Sequence, residues 1–408
     1  MKVAIIGAGF SGLVAARYIK DVSIEFDIYE RRNTIGGVWR DREESLQKKD
    51  LSEEEMIAIS PIYDDLRTNT PTISMQFDGL MYNCGKELFV TWAELNKYLK
   101  AYSEKFGLQQ YILLPTEVIK VSRQNGEWLL RSRHIPTGKL IEKSYNAVVI
   151  CTGHEEIPFI PQINGASSFQ GVQIHSKIYR NPSHYQNQTV LIIGIGPSGI
   201  DIALLISTAA KTVYLSHHKE GVSKVIFPEN IVLKPDVEKF TNDSVTFVDG
   251  FSAVIDAVIY CTGYKYNYDY LDESCDVTVG DNYIKNLYKQ MICIEHPTLI
   301  FCGLNKLFFL ILLELQAKLA AQLLAGKVTL PSKEEMLEDT RAWEEKSRQE
   351  GREERQFFNL ETRGRKYMHD LAHIGSLPEP PEALLELYDL FYEKFKAEPL
   401  TFRKHYYG

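Results

Sequence analysis

Two stretches of this chain repeat one pattern: an apolar run, a Gly-x-Gly-x-x-Gly loop, and a segment of helical periodicity. The first is Lys2-Val3-Ala4-Ile5-Ile6, then Gly7-Ala8-Gly9-Phe10-Ser11-Gly12, with the helical pattern reaching about Ile19. The second is Val190-Leu191-Ile192-Ile193, then Gly194-Ile195-Gly196-Pro197-Ser198-Gly199, reaching about Ala209. In such a loop the first glycine makes the tight turn and the second lets backbone approach a pyrophosphate. The third packs helix against strand, and the helix N-terminus faces the phosphates. The expected fold class is therefore α/β, with two Rossmann-like dinucleotide-binding domains.

The two units differ where a ribose would lie. A second strand, Ile24 to Tyr29, leads into Glu30, whose carboxylate can accept hydrogen bonds from ribose hydroxyls and would repel a 2′-phosphate. The strand after the second loop, Thr212 to Ser216, ends in Ser216-His217-His218-Lys219. A hydroxyl and cationic donors there can hold a 2′-phosphate. The first site suits FAD or NAD, and the second suits NADPH at least as well as NADH. Histidine is only partly charged near neutrality, so NADPH preference is expected to rise as pH falls. The alternative is that both histidines are surface residues at a strand end. Two nucleotides with different ribose ends imply hydride transfer from nicotinamide to flavin.

Composition narrows the partners. The chain has 408 residues, 44% hydrophobic and 25% charged, enough for two or three ordinary domains. A net charge of −8 argues against nucleic acid and anionic membrane surfaces. Six cysteines are scattered without a Cys-x-x-Cys pair, which excludes a dithiol reductase centre and argues against structural zinc. No secretory signal pattern precedes Lys2, and the most apolar stretch, Leu299 to Leu313, is interrupted by Asn305 and Lys306. The expected location is cytoplasmic, and a homo-oligomer is compatible with the sequence. No metal site is expected: His369 and His373 lie four apart but lack a zinc-protease glutamate and a third ligand.

Further along, Phe89 to Phe106 has the spacing of an amphipathic helix, and Glu117–Ser122, Glu127–Arg133 and Tyr145–Ile150 read as strands. Pro158 and Pro161 suit a linker. Leu307 to Leu324 reads as a buried helix and Lys333 to Phe357 as an exposed one. Asp41 to Glu55 reads as a charged surface excursion. The expected domains are 1–160, the first part of an FAD domain; 161–285, an inserted NADPH domain; and 286–408, the second FAD part with C-terminal helices.

Between the loops, Phe169-Gln170-Gly171-Val172-Gln173-Ile174-His175-Ser176-Lys177-Ile178-Tyr179 resembles the fingerprint of flavin-containing monooxygenases, Phe-x-Gly-x-x-x-His-x-x-x-Tyr/Phe. Gly36-Gly37-Val38-Trp39, Leu66-Arg67-Thr68-Asn69-Thr70-Pro71, Ser198-Gly199-Ile200-Asp201, Cys261-Thr262-Gly263-Tyr264 and Glu314-Leu315-Gln316-Ala317 are similar to further segments of that family, in order. Tyr179-Arg180 stands where related Baeyer–Villiger enzymes have Trp followed by Pro or Asp, which favours heteroatom oxidation. The compact size and the Ser-His-His element are similar to invertebrate members such as the insect pyrrolizidine-alkaloid N-oxygenases.

The resemblance implies a cycle in which NADPH reduces FAD, oxygen adds to the flavin, and the hydroperoxide oxidises an amine, alkaloid or sulfide. It implies FAD contacts at Gly7, Gly9, Phe10, Ser11, Gly12, Glu30, Gly37, Val38, Trp39, Thr68, Asn69, Val118 and Gln316. It implies nicotinamide-nucleotide contacts at Gly194, Gly196, Pro197, Ser198, Gly199, Asp201, Ser216, His217, His218, Thr262 and Gly263. Asn69 is the catalytic candidate, because a neutral amide donates and accepts without adding charge; a cap in a Thr-Asn-Thr-Pro turn is the alternative. His175 is read chiefly as structural. Asp201 meets the nucleotide or supports its helix start, and Gln316 contacts flavin or belongs to a buried face. A Baeyer–Villiger oxygenase and a non-catalytic flavin- and nucleotide-binding redox sensor remain as alternatives. Substrate-facing positions are sought in Asp41–Glu55 and Leu304–Phe309.

Overall fold

The computed structural model describes residues 1–40, 53–82, 88–218, 227–306, 310–398 and 401. The chain divides into two compact units: Met1–Asp41, Arg67–His154 and Tyr266–Tyr392 form the first, and Arg42–Leu66, Glu155–Lys265 and Glu393–Gly408 the second.

The first unit is built on a seven-stranded mixed sheet. Its strand order is Leu287–Tyr288, Ile292–Cys293, Leu299–Phe301, Ala147–Ile150, Lys2–Ile6, Glu25–Tyr29, Ile112–Leu113. Lys2–Ile6 is parallel to both neighbours, pairing Ile6 with Tyr29 and with Ile150. Covered on both faces, it runs continuously apolar over residues 3–6 rather than alternating. Helices Phe10–Asp21 and Leu310–Leu324 share its core. Three antiparallel strands, Thr116–Gln124, Glu127–His134 and Lys139–Tyr145, form a second layer.

The second unit carries an all-parallel five-stranded sheet, ordered Ile231–Lys234, Thr212–Ser216, Thr189–Ile193, Ala257–Tyr260, Val172–His175. Helix Pro197–Ser207 follows its central strand, and Val190, Ile192, Ile202, Ala203 and Ile206 lie in one core. Val237–Phe240, Ser244–Phe247 and Ser252–Val254 make a small antiparallel sheet.

Several boundaries differ from the sequence reading for identifiable reasons. The amphipathic helix is Trp92–Lys105, started by a capping box in which Thr91 and Glu94 satisfy each other's backbone N–H groups. The expected strand Tyr145–Ile150 is two strands of different sheets. They part at Asn146, whose N–H donates to Lys2 O and whose Oδ1 accepts from Lys2 N–H. Lys139–Tyr145 was not expected, because its exposed sequence has no apolar alternation to signal it. Ile157–Pro158, expected as linker, pairs antiparallel with Tyr264–Lys265. The charge-laced helix spans Lys333–Gln349, and Gly351 at φ +75° lies just past its end. Phe357 instead packs on Tyr283 in the core.

Candidate nucleotide sites

The first glycine loop is shaped by contacts that only glycine permits. Gly7 has φ +104°, and a Cβ built on it would lie 2.5 Å from Cys151 O. A Cβ on Gly12 would lie 1.8 Å from Gly7 O, so helix Phe10–Asp21 presses directly on the turn. Gly9 faces Gly37 with a built Cβ 3.4 Å from Gly37 Cα, which brings the Gly36–Trp39 segment onto the loop. Gly36 N–H donates to Ala8 O at 2.9 Å, and Asn96 Nδ2 donates to Trp39 O at 2.8 Å. Asn96, buried on helix Trp92–Lys105, thereby positions this segment. Sequence reasoning passed it over because it sits on the polar side of an amphipathic pattern.

Glu30 is buried. Its Oε2 accepts Ala8 N–H at 2.9 Å and its Oε1 accepts Arg32 N–H at 2.8 Å. These two bonds leave further lone pairs on the carboxylate for hydroxyl donors. Phe10, Ser11, Val38 and Trp39 are half-exposed beside it in sequence or across the loop. Asn69 is half-buried between the buried Thr68 and Thr70, with Thr68 N–H donating to Val90 O at 2.9 Å. Val118 is half-buried at an irregularity of strand Thr116–Gln124.

Gln316 lies behind this loop. It has no exposed surface, its Oε1 accepts Gly303 N–H at 3.0 Å, and its Nε2 donates to Asn305 Oδ1 at 2.7 Å and Tyr367 OH at 3.2 Å. Expected to touch flavin, it is fully occupied by protein groups. Its effect passes through Gly303, where a built Cβ would lie 2.3 Å from Ser11 Oγ.

The second loop reproduces the first. Gly194 has φ +107°, its built Cβ lies 2.5 Å from Cys261 O, and that of Gly199 lies 2.0 Å from Gly194 O. Cys151-Thr152-Gly153 and Cys261-Thr262-Gly263 occupy equivalent strand ends, with both glycines at positive φ. The first copy went unnoticed in the sequence, although the repeated tripeptide would have revealed it. Burial next to Cys302 pushes the Cys151 thiol up, and burial pushes Cys261 up to about 12, so neither is a ready nucleophile. Thr262 Oγ1 donates to Phe159 O, and Gly263 O accepts Phe159 N–H at 2.9 Å.

Both loops open into helices that lack a side-chain cap and have no acid in the first turn. Helices Trp92–Lys105 and Lys333–Gln349, by contrast, are closed by their own capping boxes. Uncapped N-terminal N–H groups with the positive end of the helix dipole fit two pyrophosphates. Among the described residues beyond its chain neighbours, none comes within 4 Å of a Cβ built on Gly196, while Pro197 and Ser198 are exposed.

Register aligns the strand ends that follow the two loops. Gly7 N–H donates to Tyr29 O as Gly194 N–H does to Ser216 O, and Glu30 N–H donates to Leu113 O as His217 N–H does to Lys234 O. His217 is therefore the counterpart of Glu30. Ser216, expected to offer its hydroxyl to a 2′-phosphate, is 1% exposed and donates Oγ–H to Pro235 O at 2.8 Å instead. Asp201 is the fifth residue of its helix, beyond the first turn, and accepts a hydrogen bond from Tyr63 OH. Lys219 lies outside the described residues, as do 41–52 and 307–309 of the substrate-facing candidates.

His175 closes strand Val172–His175. Its Nδ1 accepts Lys177 N–H at 3.1 Å and its Nε2 donates to Gly263 O at 2.9 Å, which fixes a neutral tautomer. Burial, aided by Lys177 and partly offset by the bond to Gly263, pushes its pKa down to about 4. It ties the strand to the Thr262–Gly263 turn.

Among the described residues, no group of three or more His, Cys, Asp or Glu could hold a metal ion, and His369 pairs with Glu379 at 2.6 Å. Among them, too, no helix is long and apolar enough to cross a membrane.

The model of a flavin-binding monooxygenase-like family matches residues 1–226 and 219–396. Senecionine N-oxygenase of Tyria jacobaeae is 35% identical over 82% of this chain and 74% of its own length. A flavin-containing monooxygenase of Arabidopsis thaliana, FMO GS-OX-like 9, is 35% identical over 83% of this chain and 78% of its own. The structure of S-allyl-L-cysteine S-oxygenase from Allium sativum superposes with a TM-score of 0.88 at 30% identity, covering 99% and 96% of the two chains. Cyclohexanone monooxygenase, at 13% identity and a TM-score of 0.64, shares the fold alone. With the family model matching across both glycine loops and a relative 35% identical over most of the chain, the chain belongs to the flavin-binding monooxygenase-like family.

Proposed function

We propose that the chain is an FAD-containing, NADPH- and O2-dependent monooxygenase that N- or S-oxygenates a soft nucleophile such as a tertiary amine, an alkaloid or a sulfide. The observation that carries this reading is the pair of uncapped helix N-termini with unlike ribose ends, Glu30 at one and His217-His218 at the other. In this reading the first unit is the FAD domain and the second the nucleotide domain, whose main segment, Glu155–Lys265, ends before the expected residue 285 because Tyr266 onward packs in the first unit. Gly7 and Gly12 let the turn form and its helix close on the strand, Gly9 lets backbone approach the FAD pyrophosphate, and Glu30 accepts ribose hydroxyls; Gly194, Gly199 and Gly196 play the corresponding parts for NADPH.

Bound FAD, reduced by NADPH, supplies the activated oxygen. The protein's part is to orient groups and exclude water. Asn69 presents donor and acceptor to the reacting groups without a charge, held by the turn that Thr68 N–H anchors to Val90 O. Heteroatom rather than ketone oxidation is supported by relatives named for N- and S-oxygenation. A cytoplasmic setting fits the five described cysteines, all buried and free.

The test is NADPH-dependent oxygen uptake by the yellow protein with tertiary amines, thioethers and ketones. Mass spectrometry should find one oxygen atom added to the amine or thioether. A lactone or ester from the ketone would favour the Baeyer–Villiger alternative, and absence of uptake would favour a binding module.

A further inference from the structure

Beside the strand end that follows the second loop, an acid comes up from just past the neighbouring strand, Ile231–Lys234. Ser216 pairs with Lys234 in the parallel sheet, and His217 N–H donates to Lys234 O at 3.0 Å. Two residues beyond Lys234, Asp236 reaches across, and its Oδ1 lies 3.6 Å from His218 Nδ1. Both side chains are open to solvent, at 73% for His218 and 55% for Asp236. Among the described residues, Lys234 does not offset this acid, because its Nζ lies 3.3 Å from Asp249 Oδ2 and over the ring of Phe251.

Resting on the reading of the second loop as the nicotinamide-nucleotide site, we infer that Asp236 is a specificity-determining residue that opposes a 2′-phosphate. A 2′-phosphate seated on His217 and His218 would share their edge with this carboxylate. A protonated His218 would have its charge divided between the two anions. A 2′-hydroxyl meets no such opposition and finds an acceptor, the role that Glu30 plays from its own strand end in the first unit. Removing one like charge a few ångström from an anion at a solvated site strengthens binding by roughly three- to tenfold.

The experiment titrates the FAD-loaded full chain with 2′,5′-ADP and with 5′-AMP by calorimetry, comparing wild type with Asp236→Asn. The substitution keeps the side-chain shape at an exposed position. D236N should bind 2′,5′-ADP roughly three- to tenfold more tightly and 5′-AMP no more tightly, with the KM for NADPH falling relative to that for NADH. A variant that binds both fragments as wild type does overturns the inference and leaves the site in place. Failure of wild type to bind either fragment or either nicotinamide nucleotide overturns the site reading and the inference together.

Discussion

Gly7 and Cys151 meet backbone to backbone: a Cβ on Gly7 would sit 2.5 Å from the Cys151 carbonyl oxygen. Neither partner can yield, because Cys151 follows a buried parallel strand and Gly7 holds φ +104°. Gly194 and Cys261 stand in the same relation. Substitution of either glycine by alanine must therefore move its turn. Gly7→Ala should purify with much less flavin per chain, while Gly194→Ala keeps its flavin and loses NADPH-dependent flavin reduction. Flavin absorbance relative to protein, together with anaerobic reduction by NADPH, checks both halves.

Gly196 offers a cleaner probe. A Cβ there meets nothing within 4 Å among the described residues beyond its chain neighbours, so Gly196→Ala should fold with an unchanged thermal midpoint. Among the described residues nothing obstructs the methyl group, so a loss of affinity points to a ligand. NADPH affinity should fall at least tenfold, about 1.4 kcal/mol, if the pyrophosphate passes over this residue. Unchanged affinity in calorimetry would put the nucleotide elsewhere.

Asn69 should separate cofactor loading from coupling. Asn69→Ala removes an amide from a turn whose backbone is held by Thr68 and Val90, so flavin content should persist. Oxygenated product per NADPH consumed should fall severalfold, with hydrogen peroxide making up the difference. A variant as tightly coupled as wild type would reduce Asn69 to a turn cap.

His175 predicts a pH dependence of stability. Its pKa in the folded chain is about 4 against 6.5 for the free side chain, so the unfolded chain binds the extra proton first. The contribution is present in full above pH 6.5 and is lost as pH falls toward 4. At most it amounts to about 3 kcal/mol, from about 1.4 kcal/mol per pH unit. His175→Asn keeps an acceptor for Lys177 N–H but cannot titrate. Its thermal midpoint should start lower at neutral pH and fall less steeply between pH 6.5 and pH 4 than that of wild type.

The parts of this molecule legible in the sequence are those where local backbone demands and chemistry coincide. The glycine loops are readable because turn, close approach and uncapped helix start all require particular residues at fixed spacing. Thr212–Ser216 was bounded correctly by its β-branched and aromatic residues between charged flanks. Register across strands was not legible, and it made His217 rather than Ser216 the counterpart of Glu30. Side-chain allegiance was hidden for the same reason. Nothing in the local sequence says that Ser216 turns to Pro235, that Asp201 serves Tyr63, or that Asp236 comes up beside His218. Such pairings join residues that only the folded sheet brings together.

Gln316 shows how a residue with no access to a ligand can still govern one. Its amide joins Gly303 N–H, Asn305 Oδ1 and Tyr367 OH, and Asn305 Nδ2 in turn donates to Gln290. Gln316→Leu preserves bulk but leaves Gly303 N–H and Asn305 Oδ1 short of a partner in a buried setting. Stranding such groups costs about 1–3 kcal/mol each, so the variant should lose about 2–6 kcal/mol in all. That loss alone would mark an ordinary core residue. The positioning role adds a second expectation, because Gly303 abuts Ser11 in the loop assigned to the FAD pyrophosphate. If Gly303 shifts, Ser11 shifts with it. Flavin affinity, measured by titrating the stripped protein at a temperature where the variant is fully folded, should then fall alongside stability. A destabilised variant that binds FAD as tightly as wild type would confine Gln316 to the core.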